Sequence, residues 1–75
     1  MFLYLISQSV HGDYDTYDSA VVAAKSKKAA RQITPASSWD SSSWCNSPDQ
    51  VEVKLIGKAS REVKEGVICA SFNAG

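Results

Sequence analysis

The sequence predicts a small α+β domain in the order β-β-α-β-β: a four-stranded, mostly antiparallel sheet with one short helix on one face. Three observations predict it. Apolar runs rich in strand formers occupy residues 2–6, 19–24, 51–55 and 67–72. The clearest amphipathic stretch with helical spacing falls between the second and third of them. A chain of 75 residues has room for one sheet layer and one helix layer around a single core, so residues 1–75 form one domain.

The first run, Phe2-Leu3-Tyr4-Leu5-Ile6, is apolar at both parities, as expected of a strand covered on both faces. Gly12 with Asp13, Asp15 and Asp18 marks a turn. Ser19–Ala24 returns as the second strand of a hairpin, with Tyr17 directed to the core and Tyr14 to solvent. Ser26 is placed as an N-cap before Lys27-Lys28-Ala29-Ala30-Arg31-Gln32-Ile33. At about 100° per residue, Lys27, Lys28 and Arg31 share one arc and Ala29, Ala30 and Ile33 the opposite one. Pro35 is expected to end the helix, because it disfavours α geometry at Thr34.

Residues 36–48 are different in kind: six of these thirteen are serine and two are tryptophan. Loops of this length are often functional. Val51, Val53 and Leu55 then alternate with Glu52 and Lys54, which reads as an edge strand guarded by charge. Residues 60–64 have some helical character, and Val67–Phe72 is the last strand. Because the first and last strands are the most apolar, both are expected at the centre, in the order 2-1-4-3. One helix cannot cover two apolar sheet faces, so the open face calls for the long loop or a second copy of the chain.

Composition excludes several function classes. Eight Lys and Arg balance eight Asp and Glu, which argues against a strongly basic nucleic-acid module and against an acidic mimic of DNA. Two cysteines, Cys45 and Cys69, are fewer than a disulfide-built secreted domain of this size carries, and reduced thiols in a cytosol are expected. Cys69 reads as a buried small hydrophobe of the last strand. With one histidine, no four-ligand zinc set assembles, and no metal or cofactor is expected. The apolar start stops at Ser7 and lacks the basic start, length and cleavage site of a secretory signal. No apolar stretch approaches the roughly 20 residues that span a bilayer.

The chemical motifs are sparse. His11 with nearby serines and Asp13 can be written as a triad, but six serines in one loop alone make such a match uninformative. Counted from Asp13, the sixth and twelfth positions of a calcium loop fall on Asp18 and Ala24, where Gly and Glu are needed. No phosphate-cradling or dinucleotide motif is present. What remains is contact chemistry. Trp39 and Trp44 either pin the serine-rich loop onto the sheet or meet a partner. Tyr14, among short polar residues, has the composition of a contact surface. Lys27, Lys28 and Arg31, with Lys25, make a basic helix face suited to steering charges. Three Asp and no Lys or Arg among residues 1–24 then imply a dipolar surface.

Two segments, Tyr14–Ala24 and Gly66–Gly75, resemble a family of small uncharacterised phage and prophage proteins, most specifically in the ending Ala-Ser-Phe-Asn-Ala-Gly. That family has no assigned activity, so no functional residue is carried over. The resemblance implies a phage-encoded protein in the bacterial host cytoplasm. Small phage proteins commonly bind and block a host protein, as anti-CRISPR and other anti-defence inhibitors do. The reading is therefore a non-enzymatic binder and modulator of a host protein, with Tyr14, Trp39 and Trp44 as anchors and Lys27, Lys28 and Arg31 as steering charges. The alternative is a nucleic-acid or nucleotide binder using the basic helix, including an oligomeric sponge for a signalling nucleotide. A homodimer is compatible with both.

Overall fold

The computed structural model describes residues 1–10, 14–40 and 42–73. Its elements follow the expected order: β1 (Phe2–Ser7), β2 (Thr16–Ala24), α1 (Lys27–Arg31) and, after the loop and one 3-10 turn at Pro48–Gln50, β3 (Glu52–Lys58) and β4 (Gly66–Asn73). The four strands form one antiparallel sheet in the order β3-β1-β2-β4. The α+β class, the β1–β2 hairpin and the edge position of β3 are as expected. The strand order is not.

The correction concerns β4. Apolarity placed it at the centre; it lies at the outer edge, and every residue from Val67 to Asn73 is exposed. The second central strand is β2. Its residues Ala20, Val22, Ala23 and Ala24 are buried. Small side chains on a central strand let a helix and a bulky ring approach the sheet closely, and that close packing outweighs the larger but uncovered apolar surface of β4. Cys69 is accordingly exposed, not buried, and Leu55 at the far edge is exposed as well. Cys45 is buried, and both thiols are free.

Directly opposed residues of an antiparallel ladder share a face. Tyr4 opposes Val22 and Ile6 opposes Ala20, so these four define the covered face. Against them pack Ala30 of α1, Trp44, Cys45 and Val51, with Tyr17, Ala29, Ile33, Ala36, Trp39 and Val53 partly buried around the cluster. The other face carries Leu3, Leu5 and Val21, which are half-buried, and the exposed Cys69.

Helix α1 starts where Ser26, in extended geometry, accepts the Ala29 N–H on its hydroxyl at 3.1 Å. It is shorter than expected. Gln32 and Ile33 already donate to the Ala29 and Ala30 carbonyls in tightened turns, and the Thr34 hydroxyl accepts the Ala36 N–H. The chain has therefore left the helix before Pro35 acts. Residues 60–64 form a turn closed by the Val63 N–H on the Ser60 carbonyl, not a helix.

Trp44 is the largest fully buried side chain, and its indole Nε1 has no hydrogen-bond partner among the described residues. An orphaned buried donor costs about 1–3 kcal/mol. The hydrophobic contribution of the ring must exceed that cost. Trp44→Ala should remove about 3–5 kcal/mol, a large share of the roughly 4–11 kcal/mol expected for a domain of this length. Trp44→Phe should cost only about 1 kcal/mol, because it discards the orphan N–H with part of the ring. Urea denaturation followed by circular dichroism checks both values. Burial also pushes the Cys45 thiol above its ordinary range. In the native protein, a thiol reagent should therefore modify Cys69 at once and Cys45 only on unfolding.

Candidate interaction surface

Three segments converge at one end of the sheet. The turn before β2 places Tyr14 in solvent, 73% exposed, and Asp15 in the left-handed region at φ 63°. Aspartate tolerates that conformation better than most residues, which gives the turn its local reason. The Asp15 N–H donates to the Asn73 carbonyl, tying the turn to the end of β4. The Thr16 hydroxyl, buried, faces the Tyr14 carbonyl at 3.4 Å. Behind the turn, the Tyr17 and Phe72 rings meet edge to face at 4.7 Å. Asp18 is the extra residue of a bulge between β2 and β4 and is exposed.

The serine-rich loop is docked beside this turn. The Tyr17 N–H donates to the Ser43 carbonyl at 2.8 Å, and Trp44 enters the core one residue later. Asp40 organises the loop from within. Its carboxylate accepts the Ser42 hydroxyl and N–H on one oxygen and the Ser38 hydroxyl on the other. Its carbonyl accepts the Trp44 N–H at 3.0 Å. The Ser42 hydroxyl, the Ser42 N–H and the Ser38 hydroxyl hold the Asp40 carboxyl below its ordinary value. The hairpin is locked on its other side by Gln8, buried, whose Nε2 donates to the Tyr17 carbonyl at 3.0 Å and whose Oε1 accepts the Val10 N–H at 3.0 Å.

The structure sorts the candidate residues. Tyr14 is the most exposed of the large hydrophobics. Trp39 packs against the core and remains half-exposed beside Asp40. Trp44 is withdrawn as a partner anchor: fully buried, it pins the loop, the other role its sequence context allowed. Arg31 is half-buried and its guanidinium donates to the Val51 carbonyl, so it braces α1 against the approach to β3 in place of steering. Lys27 and Lys28 are exposed but stand past the far end of β2, whose nine residues span about 27 Å. They do not share a patch with Tyr14.

Charge follows the same axis. Glu52, opposite Ser7, and the group Asp15, Asp18 and Asp40 mark the Tyr14 end. Lys25, Lys27 and Lys28 mark the other end, with Lys58, which opposes Phe2. The dipole expected from the first 24 residues is thus present, and it is the acidic pole that carries the exposed aromatic. Comparisons with protein-family models, with curated proteins and with solved structures find no match to this chain.

Among the described residues, no three His, Cys, Asp or Glu side chains are grouped to hold a metal. His11 and Asp13, on which the triad and calcium-loop patterns turn, lie outside the described residues. Among the described residues, no helix is long and apolar enough to cross a membrane. The sequence missed the contribution of Asp40, Ser38 and Ser42. Asp40 followed two residues later by Ser42, and preceded two residues earlier by Ser38, is an Asx-turn signal that could have identified it.

Asp40→Ala should leave the sheet intact and loosen residues 38–44, read as faster amide exchange at Ser42 and Trp44. A carboxyl whose pKa is lowered by folding contributes stability above its unfolded value, near 3.9, and loses it as pH falls through the lower folded value. Stability should therefore fall on acidification below about pH 4, and Asp40→Asn should show a smaller acid loss than the wild type.

Proposed function

We propose that the chain is a non-enzymatic binding protein that engages another protein through the Tyr14 end and modulates it by occupying its surface. The observation that carries this reading is the exposed Tyr14 ring beside Asp15, whose N–H is tied to the end of β4, at the end of the sheet where Asp18, Asp40 and Glu52 also lie. A tyrosine on a preordered turn adds contact area at little entropic cost, and short hydroxyl side chains beside it supply adaptable hydrogen bonds. The acidic surround favours a partner that is basic where it receives the ring.

The phage resemblance of Tyr14–Ala24 and Gly66–Gly75 supplies the context: a phage-encoded protein in the bacterial host cytoplasm, acting on a host factor in the manner of an anti-defence, anti-CRISPR-like inhibitor. One observation favours a second reading. Lys25, Lys27 and Lys28 are exposed together at the other pole, with Lys58 at the same end, and such a group can meet the phosphates of a nucleotide or nucleic acid.

Capture from bacterial lysate on immobilised wild-type and Tyr14→Ala protein, with nuclease present, separates the two. A single stoichiometric protein should bind the wild type, and its affinity for Tyr14→Ala should be weaker by about 2 kcal/mol, or some 30-fold. Circular dichroism of the variant should be unchanged. Association should slow with added salt. Capture that is unaffected by Tyr14→Ala but lost with Lys27→Ala/Lys28→Ala, or with nuclease, would move the function to the basic pole.

A further inference from the structure

The two edges of the sheet are built differently. β3 carries Glu52, Lys54 and Lys58 within seven residues, the charge pattern that keeps an edge strand solvated and unpaired. β4, at the other edge, reads Gly-Val-Ile-Cys-Ala-Ser-Phe-Asn: eight residues with no charge and no proline. Its Val67, Ile68 and Phe72 side chains are exposed, so neither the helix nor the loop covers it. A long, neutral, apolar edge without such protection is a template for another strand.

We propose that β4 pairs antiparallel with β4 of a second copy of this chain, about a twofold axis at Ser71. It is a different interface from the Tyr14 end and does not rest on the function read there. Self-complementarity argues for a second copy: the strand is neutral throughout, so no register sets like charges against each other. Joining the two sheets gives one eight-stranded sheet whose only outer edges are the two charged β3 strands. The uncharged edge is then paired over Cys69–Asn73.

The register follows from the backbone. Ile68 is the extra residue of a bulge, since Val22 opposes Val67 while Val21 opposes Cys69. The regular edge is therefore Cys69–Asn73, whose centre is Ser71. The Asn73 carbonyl accepts the Asp15 N–H and so points inward, toward β2. Tyr17, which opposes Phe72, has its N–H on Ser43 and its carbonyl on Gln8, so the Tyr17–Phe72 pair exchanges no backbone bonds. Strand alternation then turns the backbone N–H and C=O of Ala70 and Phe72 outward. About Ser71, Ala70 of one copy opposes Phe72 of the other, and each such pair exchanges both of its backbone hydrogen bonds. The Phe72 ring lies beside the small Ala70 on the helix side. The two Ser71 hydroxyls meet on the open face.

Sedimentation velocity and disulfide trapping test this. The wild type should sediment as a dimer at micromolar concentration, and Ala70→Lys should shift it to monomer, raising the dimer dissociation constant at least about 100-fold, with unchanged circular dichroism. Ala70→Pro, which removes only an outward N–H, should do the same. In a Cys69→Ser background, Ser71→Cys should form an intermolecular disulfide on oxidation with copper phenanthroline, since directly opposed Cβ atoms lie about 4.5–5.5 Å apart. The two native Cys69 residues, each two positions from the axis, are about 13 Å apart and should not. A wild type that is monomeric at 200 μM or so, well above the about 1 μM that a modest interface reaches, would overturn the proposal. So would an Ala70→Lys dimer, or trapping through Cys69 in place of residue 71.

Discussion

The structure depends on one packing event: the Trp44 ring on a central strand of small residues. Ala20, Val22 and Ala24 of β2 offer a low surface on which a broad ring and a short helix lie side by side. A five-residue helix has no independent stability, since helix nucleation costs more than so few hydrogen bonds return. Helix α1 exists because Ala30 is buried in the same cluster and because Arg31 reaches the Val51 carbonyl. The described residues of the 36–48 loop are held in place for a similar reason. Trp44 anchors it at one point and the Ser43 carbonyl at the next. The ring carries its Nε1, which has no partner among the described residues, into the core with it.

That anchoring decides what the surface offers. With Trp44 and Cys45 both turned inward, the loop leaves Ser42 exposed and Asp40 half-buried, the two joined by hydrogen bonds. The hydrogen bonds around Asp40 are local and polar, and they hold a surface that the core has already positioned. Buried and exposed aromatics thus divide the labour. Trp44 supplies fold stability, Trp39 and Tyr17 lie between core and surface, and Tyr14 is left free for contact.

The sequence made the class and most elements legible because local chemistry marks them. Ser26 caps where it should, Ala29, Ala30 and Ile33 face the core, and Val51, Glu52 and Val53 alternate as an edge strand. Tyr17 directed toward the core and Tyr14 outside were readable from the turn between them. The strand order was not, because it is a contest between two non-local burials. Total apolarity favours β4 at the centre, whereas shape favours β2, and periodicity carries no information about shape. Trp44 illustrates the same limit at the site. Its sequence neighbourhood fits a pin and an anchor equally well, and only the small residues of β2, some 20 positions earlier, distinguish the two.

The distribution of what stays exposed carries the remaining argument. A stable monomer of this size has little free energy to spare on apolar surface that does no work. Here exposed apolar side chains occur on both edge strands, Leu55 and Ile56 on β3 and Val67, Ile68 and Phe72 on β4, and it is charge that differs between them. Charge guards β3, while β4 carries none along its whole length. The Tyr14 end is acidic and preordered, and the opposite pole is basic. Such segregation gives one molecule two separable surfaces: a neutral edge, where backbone hydrogen bonds and apolar side chains dominate, and a charged, aromatic end, where electrostatics set the approach. Salt should distinguish them in principle, since screening acts on the second and hardly on the first. A binding protein that pairs through the neutral edge would hold two copies of its charged end in one fixed relation, which raises avidity without adding a contact.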